Sequence, residues 1–227
     1  MDVDTAIRSR GSTRAFLPRP VSRATVADIL DSARFAPSGS NIQPWRVHVV
    51  AGSLRDSICQ QVQEAATHDR ASHPNVYDYY PRQWREPYLA RRRACGWGLY
   101  SLLGIAKGDR EAGLAQELRN FDFFGAPVGL FFFIDDDLGY GSWLDYGMFL
   151  QTIMLAAQAA GLATCPQAAW APFHRIIRVP LGAPESQTLI CGMALGYADR
   201  ASAVNAFRPE RLGVEEFTAW HGLEGGE

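Results

Sequence analysis

The stretch from Pro127 to Ala160 constrains this chain more than any other. Pro127 to Ile134 is a nearly continuous apolar run with three consecutive phenylalanines. A run without polar alternation predicts a strand covered on both faces, so its sheet must lie between two layers of other elements. Further on, Trp143 to Ala160 is apolar around most of its helical circumference. Such a helix predicts a central position surrounded by protein, and Gly161 is placed to cap it. Between the two, Asp135-Asp136-Asp137 reads as a solvated turn, because neighbouring side chains of an extended segment diverge and do not converge on a metal.

The other segments arrange themselves around this pair. Asp4 to Arg10 predicts a short helix, broken by Leu17-Pro-Arg-Pro20. Thr25 with Asp28 resembles a capping box, and Val26, Ile29, Leu30 and Ala33 form a buried helical stripe that stops by Pro37. Trp45 to Val50 and Thr188 to Leu195 predict strands; Ser53 to His68, Leu89 to Ile105 and Glu111 to Arg119 predict helices. Three strands among more numerous helices, in irregular alternation, fit an α+β architecture better than a βαβ series. No repeat or linker divides the chain, so residues 1–227 are expected to form one domain. Within it, residues 198–227 hold too few apolar side chains to bury themselves and are expected to lie across another surface, such as that of a partner subunit.

Of the 22 basic residues only Lys107 is a lysine. The bias fits either anion recognition by planar guanidinium groups or an Arg-rich codon usage. With a net charge of −2 and no basic face, nucleic-acid binding is not expected. No apolar segment approaches the roughly 20 residues of a membrane span, and Met1-Asp2-Val3-Asp4 does not open a secretory signal. Cys59, Cys95, Cys165 and Cys191 are widely spaced, without metal or disulfide patterning. A reduced, soluble, cytoplasmic protein is expected.

Several site types are missing from the sequence: the dinucleotide and P-loop glycine motifs, a helical His pair for zinc, and a nucleophile elbow. Reactivity is therefore expected to be borrowed from a cofactor, with no metal. Four segments suit one. Arg8-Ser-Arg-Gly-Ser-Thr-Arg14 brings guanidinium groups and hydroxyls together as an anion requires. Pro37-Ser-Gly-Ser-Asn-Ile-Gln-Pro-Trp45 offers main-chain N–H groups and amides. Cys165-Pro-Gln-Ala-Ala-Trp170 allows close approach to the backbone, and Val204-Asn-Ala-Phe-Arg-Pro-Glu-Arg211 adds two cations. Tyr77 to Arg93, rich in aromatic and Arg residues within the 70–95 region, suits either a partly exposed lid or an ordinary surface excursion.

In order and spacing these segments resemble the nitroreductase family of FMN-dependent flavoproteins. The resemblance implies a central, mainly antiparallel sheet surrounded by helices, in a homodimer with FMN at the subunit interface and an extended C-terminal tail. It implies a ping-pong reaction in which NADH or NADPH reduces the flavin and a nitroaromatic reoxidises it. Arg10 and Arg211 would clamp the phosphate, helped by Arg208, with Gly11 and Ser12 completing the phosphate and ribityl contacts. Arg14 would lie near flavin N1 and O2, where a fixed cation stabilises the charge that reduction leaves. Pro37, Ser38, Gly39 and Asn41 would reach the ring from the other subunit, and Gln167, Ala168 and Ala169 would line it near N5. Trp84, Tyr88 and Phe124 are expected to meet a small aromatic substrate, and Arg82 or Arg85 to hold a carboxylate, as in a nitrobenzoate. Quinone or enone reduction, dehalogenation, flavin fragmentation and a non-catalytic flavin-binding module are the alternatives.

Overall fold

The computed structural model of the chain describes residues 1–223. Along the chain run α1 (Val3–Ser9), α2 (Arg23–Ala33), β1 (Arg46–Ala51), α3 (Gly52–His68), α4 (Tyr88–Leu102), α5 (Arg110–Leu118), β2 (Val128–Asp135), α6 (Tyr140–Ala159), β3 (Ala163–Gln167), α7 (His174–Leu181) and β4 (Gln187–Gly196). The four strands form one antiparallel sheet in the order β1-β2-β4-β3. Its interior strand β2 is buried from Val128 to Ile134, as its unbroken apolar run requires. On one face Phe131 and Phe133 join Trp170, Phe173 and Ile58; on the other Leu130, Phe132 and Ile134 join Val26, Ile29 and Phe149 of α2 and α6.

Two glycines set the closeness of the first face. A Cβ on Gly192 would lie 2.4 Å from the Trp170 ring, and one on Gly129 would lie 2.3 Å from that of Phe123. The two rings stack at 4.5 Å and lie directly on the sheet backbone. Phe123 and Phe124 both adopt left-handed backbone (φ 54° and 56°), and Arg55, reaching over from α3, donates to the Asp122 carbonyl at 2.6 Å and ties this turn down.

Three expectations change. β3 is a strand the sequence does not announce: it contains Pro166, which is tolerated because β3 lies at the sheet edge. The cap of α2 is Ser22, whose hydroxyl accepts the Thr25 N–H at 3.0 Å, and the helix ends at Ala33 rather than near Pro37. α6 is not enclosed within this chain, since Tyr140, Leu144 (66% exposed) and Met148 face outward, opposite the sheet and α2. Its end is as expected: Gly161 (φ 74°) follows the last turn, its N–H donating to Gln158 while that of Leu162 reaches Ala157. Within the 70–95 region Tyr77 is anchored, donating to the Ile190 carbonyl and packing edge-on against Trp143.

Candidate functional site

The segment after α1 threads between β3 and the C-terminal tail. Thr13 N–H donates to the Thr164 carbonyl at 3.0 Å, and Leu17 N–H to that of Tyr197 at 2.8 Å. Asn205 ties the tail to this segment: its Oδ1 accepts the Arg14 N–H at 2.7 Å, and its Nδ2 donates to the Ala15 and Asp199 carbonyls at 2.8 Å each. The carbonyl of Asn205 in turn accepts from Arg208 Nη1 at 3.0 Å. That guanidinium lies against Gly11, where a Cβ would come within 3.2 Å of it. A side chain at this position would press on that guanidinium and shift it.

Arg10, Gly11, Ser12, Arg14 and Arg208 are thereby gathered on one side of β3. The Arg14 guanidinium donates to the Ser12 carbonyl at 3.3 Å and lies near Cys165, whose thiol burial pushes up to about 11 against the opposing influence of Arg14 and Ser12. Gln167, 3% exposed at the end of β3, donates to the Asn120 carbonyl at 2.7 Å. Ala168 and Ala169 then open the 3-10 turn to Phe173, with side chains too small to screen their own backbone. Arg211, in contrast, is turned onto its own backbone, donating to the Pro209 and Glu210 carbonyls.

The Pro37–Asn41 loop is elsewhere. Gly39 N–H donates to the Asp145 carboxylate at 3.0 Å near the start of α6, and Ser38 Oγ accepts the Gln43 N–H at 3.0 Å. Ser40, Asn41 and Gln43 have positive φ, a backbone form that turns Asn41 outward into an exposed position. The first segment meets α6 near its other end, where Gln158 donates to Ser9 Oγ at 3.1 Å. From Asp145 to Gln158 the helix rises about 20 Å. The two halves of the expected site are thus held apart within one chain.

Trp84 and Tyr88 line a groove of about 1040 Å³ along α4, together with Arg91, Arg92, Trp97 and Tyr100. Phe124 does not. At 2% exposure it belongs to the core under β2, so the expectation that it meets substrate is corrected: the left-handed turn that carries it points it inward. The structural work of Asn120 and Asn205 is not announced by the sequence: Asn205 is one letter of a tail motif, and Asn120 carries no signal at all. Among the described residues no cluster of His, Cys, Asp or Glu could hold a metal, and no helix is long and apolar enough to cross a membrane.

Comparison with known proteins matches this geometry to a family. The family model described as "Nitroreductase family" matches residues 7–197. The chain is 44% identical over 224 residues to a 4-nitrobenzoate reductase of Pseudomonas putida, covering 98% of this chain and 97% of that protein. It is 40% identical over 218 residues to a nitrobenzene nitroreductase of Ectopseudomonas oleovorans, covering 96% of each. The crystal structure of the FMN and NADPH-dependent nitroreductase NfnB from Sphigopyxis sp. strain HMH superposes with a TM-score of 0.95 at 39% identity, over 98% of this chain and 100% of that one. With the sheet, the arginine-lined segment and the loop at the head of α6 all falling inside the matched span, this chain belongs to the nitroreductase family, an oxidoreductase family of α+β fold.

Proposed function

We propose that this chain is an FMN-dependent NAD(P)H oxidoreductase that reduces nitroaromatic compounds, nitrobenzoates among them. The arginines around Gly11 carry the reading. Among the described residues Arg10, Arg14 and Arg208 pair with no carboxylate, and Arg10 Nε is buried without a hydrogen-bond partner. Cations gathered this way call for an anion, and the N–H groups of Gly11 and Ser12, which meet no backbone acceptor, can supply two more donors. A phosphate-bearing flavin fits this donor set. FMN held there would supply the two-electron chemistry that links a nicotinamide donor to a nitro group.

The protein's own residues bind and orient. Arg10 and Arg208, with Gly11, Ser12 and Arg211, hold the phosphate and ribityl chain. Arg14 holds positive charge near the ring, fixed by Asn205 at its backbone. Gln167, Ala168 and Ala169 present the end of β3 to the ring, and Trp84 and Tyr88 stack on the substrate. Pro37, Ser38, Gly39 and Asn41 complete the site from a second copy in a homodimer. The 20 Å separation along α6 supports that sharing, because a partner lying antiparallel on the exposed Leu144–Met148 face brings its loop to this chain's arginines.

The test is a spectrum of the purified protein followed by anaerobic titration. Flavin absorbance is expected as isolated, bleached by a pyridine nucleotide and restored by 4-nitrobenzoate. Protein that stays yellow with both NADH and NADPH overturns the reading.

A further inference from the structure

We infer that the groove along α4 recognises the 2′-phosphate of NADPH, through Arg92 first and Arg93 and Lys107 beside it, and so makes NADPH the preferred donor. This rests on the reductase reading above and adds the specificity of its donor half-reaction.

The groove, of about 1040 Å³, is at the upper end of the range for sites that hold ligands larger than one ring. Its walls combine aromatic faces with cations. The Arg92 guanidinium lies 4.8 Å over the Trp84 ring, and Lys107 Nζ lies 5.3 Å over that of Trp97. Stacking engages the face of a guanidinium and leaves its in-plane N–H groups free. Among the described residues the side chains of Arg91, Arg92, Arg93 and Lys107 form no ion pair and donate no hydrogen bond to a protein acceptor; the ion pairs found there join other residues. The one carboxylate on the groove wall, Asp109, is engaged in capping α5, where it accepts the Ala112 N–H at 3.0 Å.

Four cations face one committed carboxylate beside several flat rings. A ligand that answers this surface carries a planar base and a multiply charged anion. A monoester phosphate takes an arginine fork in two parallel hydrogen bonds, whereas the ribose hydroxyl of NADH leaves the cations without a partner. A nitrobenzoate, with one ring and one carboxylate, fills neither the length of the groove nor its charge. The groove is also tied to the cofactor segment. A Cβ on Gly98 would lie 2.8 Å from the Phe207 ring, so α4 presses on the tail one residue before Arg208, itself against Gly11. Arg92 precedes Gly98 by about 9 Å of helix, a distance that an extended dinucleotide spans.

The test is calorimetric titration of FMN-loaded protein with 2′,5′-ADP and with 5′-AMP, which differ by that phosphate. The wild type is expected to bind 2′,5′-ADP at least about tenfold tighter, as for a charge-assisted contact. In Arg92→Gln the preference falls several-fold, and in the Arg92→Gln/Arg93→Gln/Lys107→Gln variant it approaches unity, with FMN content unchanged. Cys95, exposed on the same wall, gives a second readout: 2′,5′-ADP slows its alkylation by iodoacetamide and 5′-AMP at the same concentration does not. Equal binding of the two nucleotides by the wild type, or a preference that survives the triple variant, overturns the inference and leaves the reductase reading intact. Failure of both nicotinamides to bleach the flavin removes the reductase reading instead.

Discussion

Asn205 saturates its amide with three contacts, two of them to the distant Arg14–Ala15 segment, and no other amino acid can replace all of them. Removing it strands the Ala15 and Asp199 carbonyls and the Arg14 N–H, and loosens the backbone on which Arg208 rests. Asn205→Ala is therefore expected to weaken FMN binding by about tenfold or more and riboflavin binding by less, since the proposed role of Arg208 is on the phosphate and only that of Arg14 is on the ring. Equal losses for the two flavins, measured by fluorescence titration, would make Asn205 mere scaffold. The arginines themselves give a sharper comparison. Arg208→Ala and Arg211→Ala are each expected to cost FMN binding about 1.5–3 kcal/mol, the range for hydrogen bonds to charged groups. An unchanged affinity removes that arginine from the clamp, and Arg211, now folded onto its own turn, is the more exposed to that outcome.

At the level of elements, the first sheet face is set by absent side chains. Gly192→Ala drives a methyl into Trp170, which is fully buried between Phe121, Phe123 and Phe131 and has nowhere to retreat. The expected loss is at least about 1–3 kcal/mol, read from urea unfolding; unaltered stability would mean that the ring does not lie on the strand. This also shows what a sequence can disclose. The apolar run of β2 and the stripe of α2 are legible because burial imposes a period or removes one. β3 is not, since Pro166 argues against a strand unless its edge position is known. Likewise the Arg10–Arg14 and Arg208 segments are recognisable by type and spacing, but Asn120 and Phe124 are not: their roles depend on which way a turn of left-handed residues points.

For the whole molecule, the accessible surface of 13857 Å² exceeds the about 10,300 Å² expected of a compact 25.1 kDa monomer. The excess, about 3,600 Å² per chain, is more than enough surface for an obligate partner to cover. It has visible sources: α6 turns Leu144 and Met148 outward, and Phe217 and Trp220 stand exposed on the tail. Residues 224–227, the end of the extension expected to cross a partner, lie outside the described residues. Leu144→Glu, a change at a position open to solvent in the single chain, is expected to leave the fold intact, yield a one-chain mass by light scattering and release FMN. A wild-type mass of one chain at micromolar concentration would refute the dimer.

In the proposed homodimer, with half of a site at each end of α6, a thermodynamic consequence follows. A flavin that touched both copies would be a crosslink, so association of the chains and uptake of the cofactor would draw on one shared free energy. Whatever tightened either would tighten the other by the same factor: abundant flavin mononucleotide is expected to hold pairs together at protein concentrations where they would otherwise part, and dilution of the protein to shed flavin with no change in any residue that contacts it.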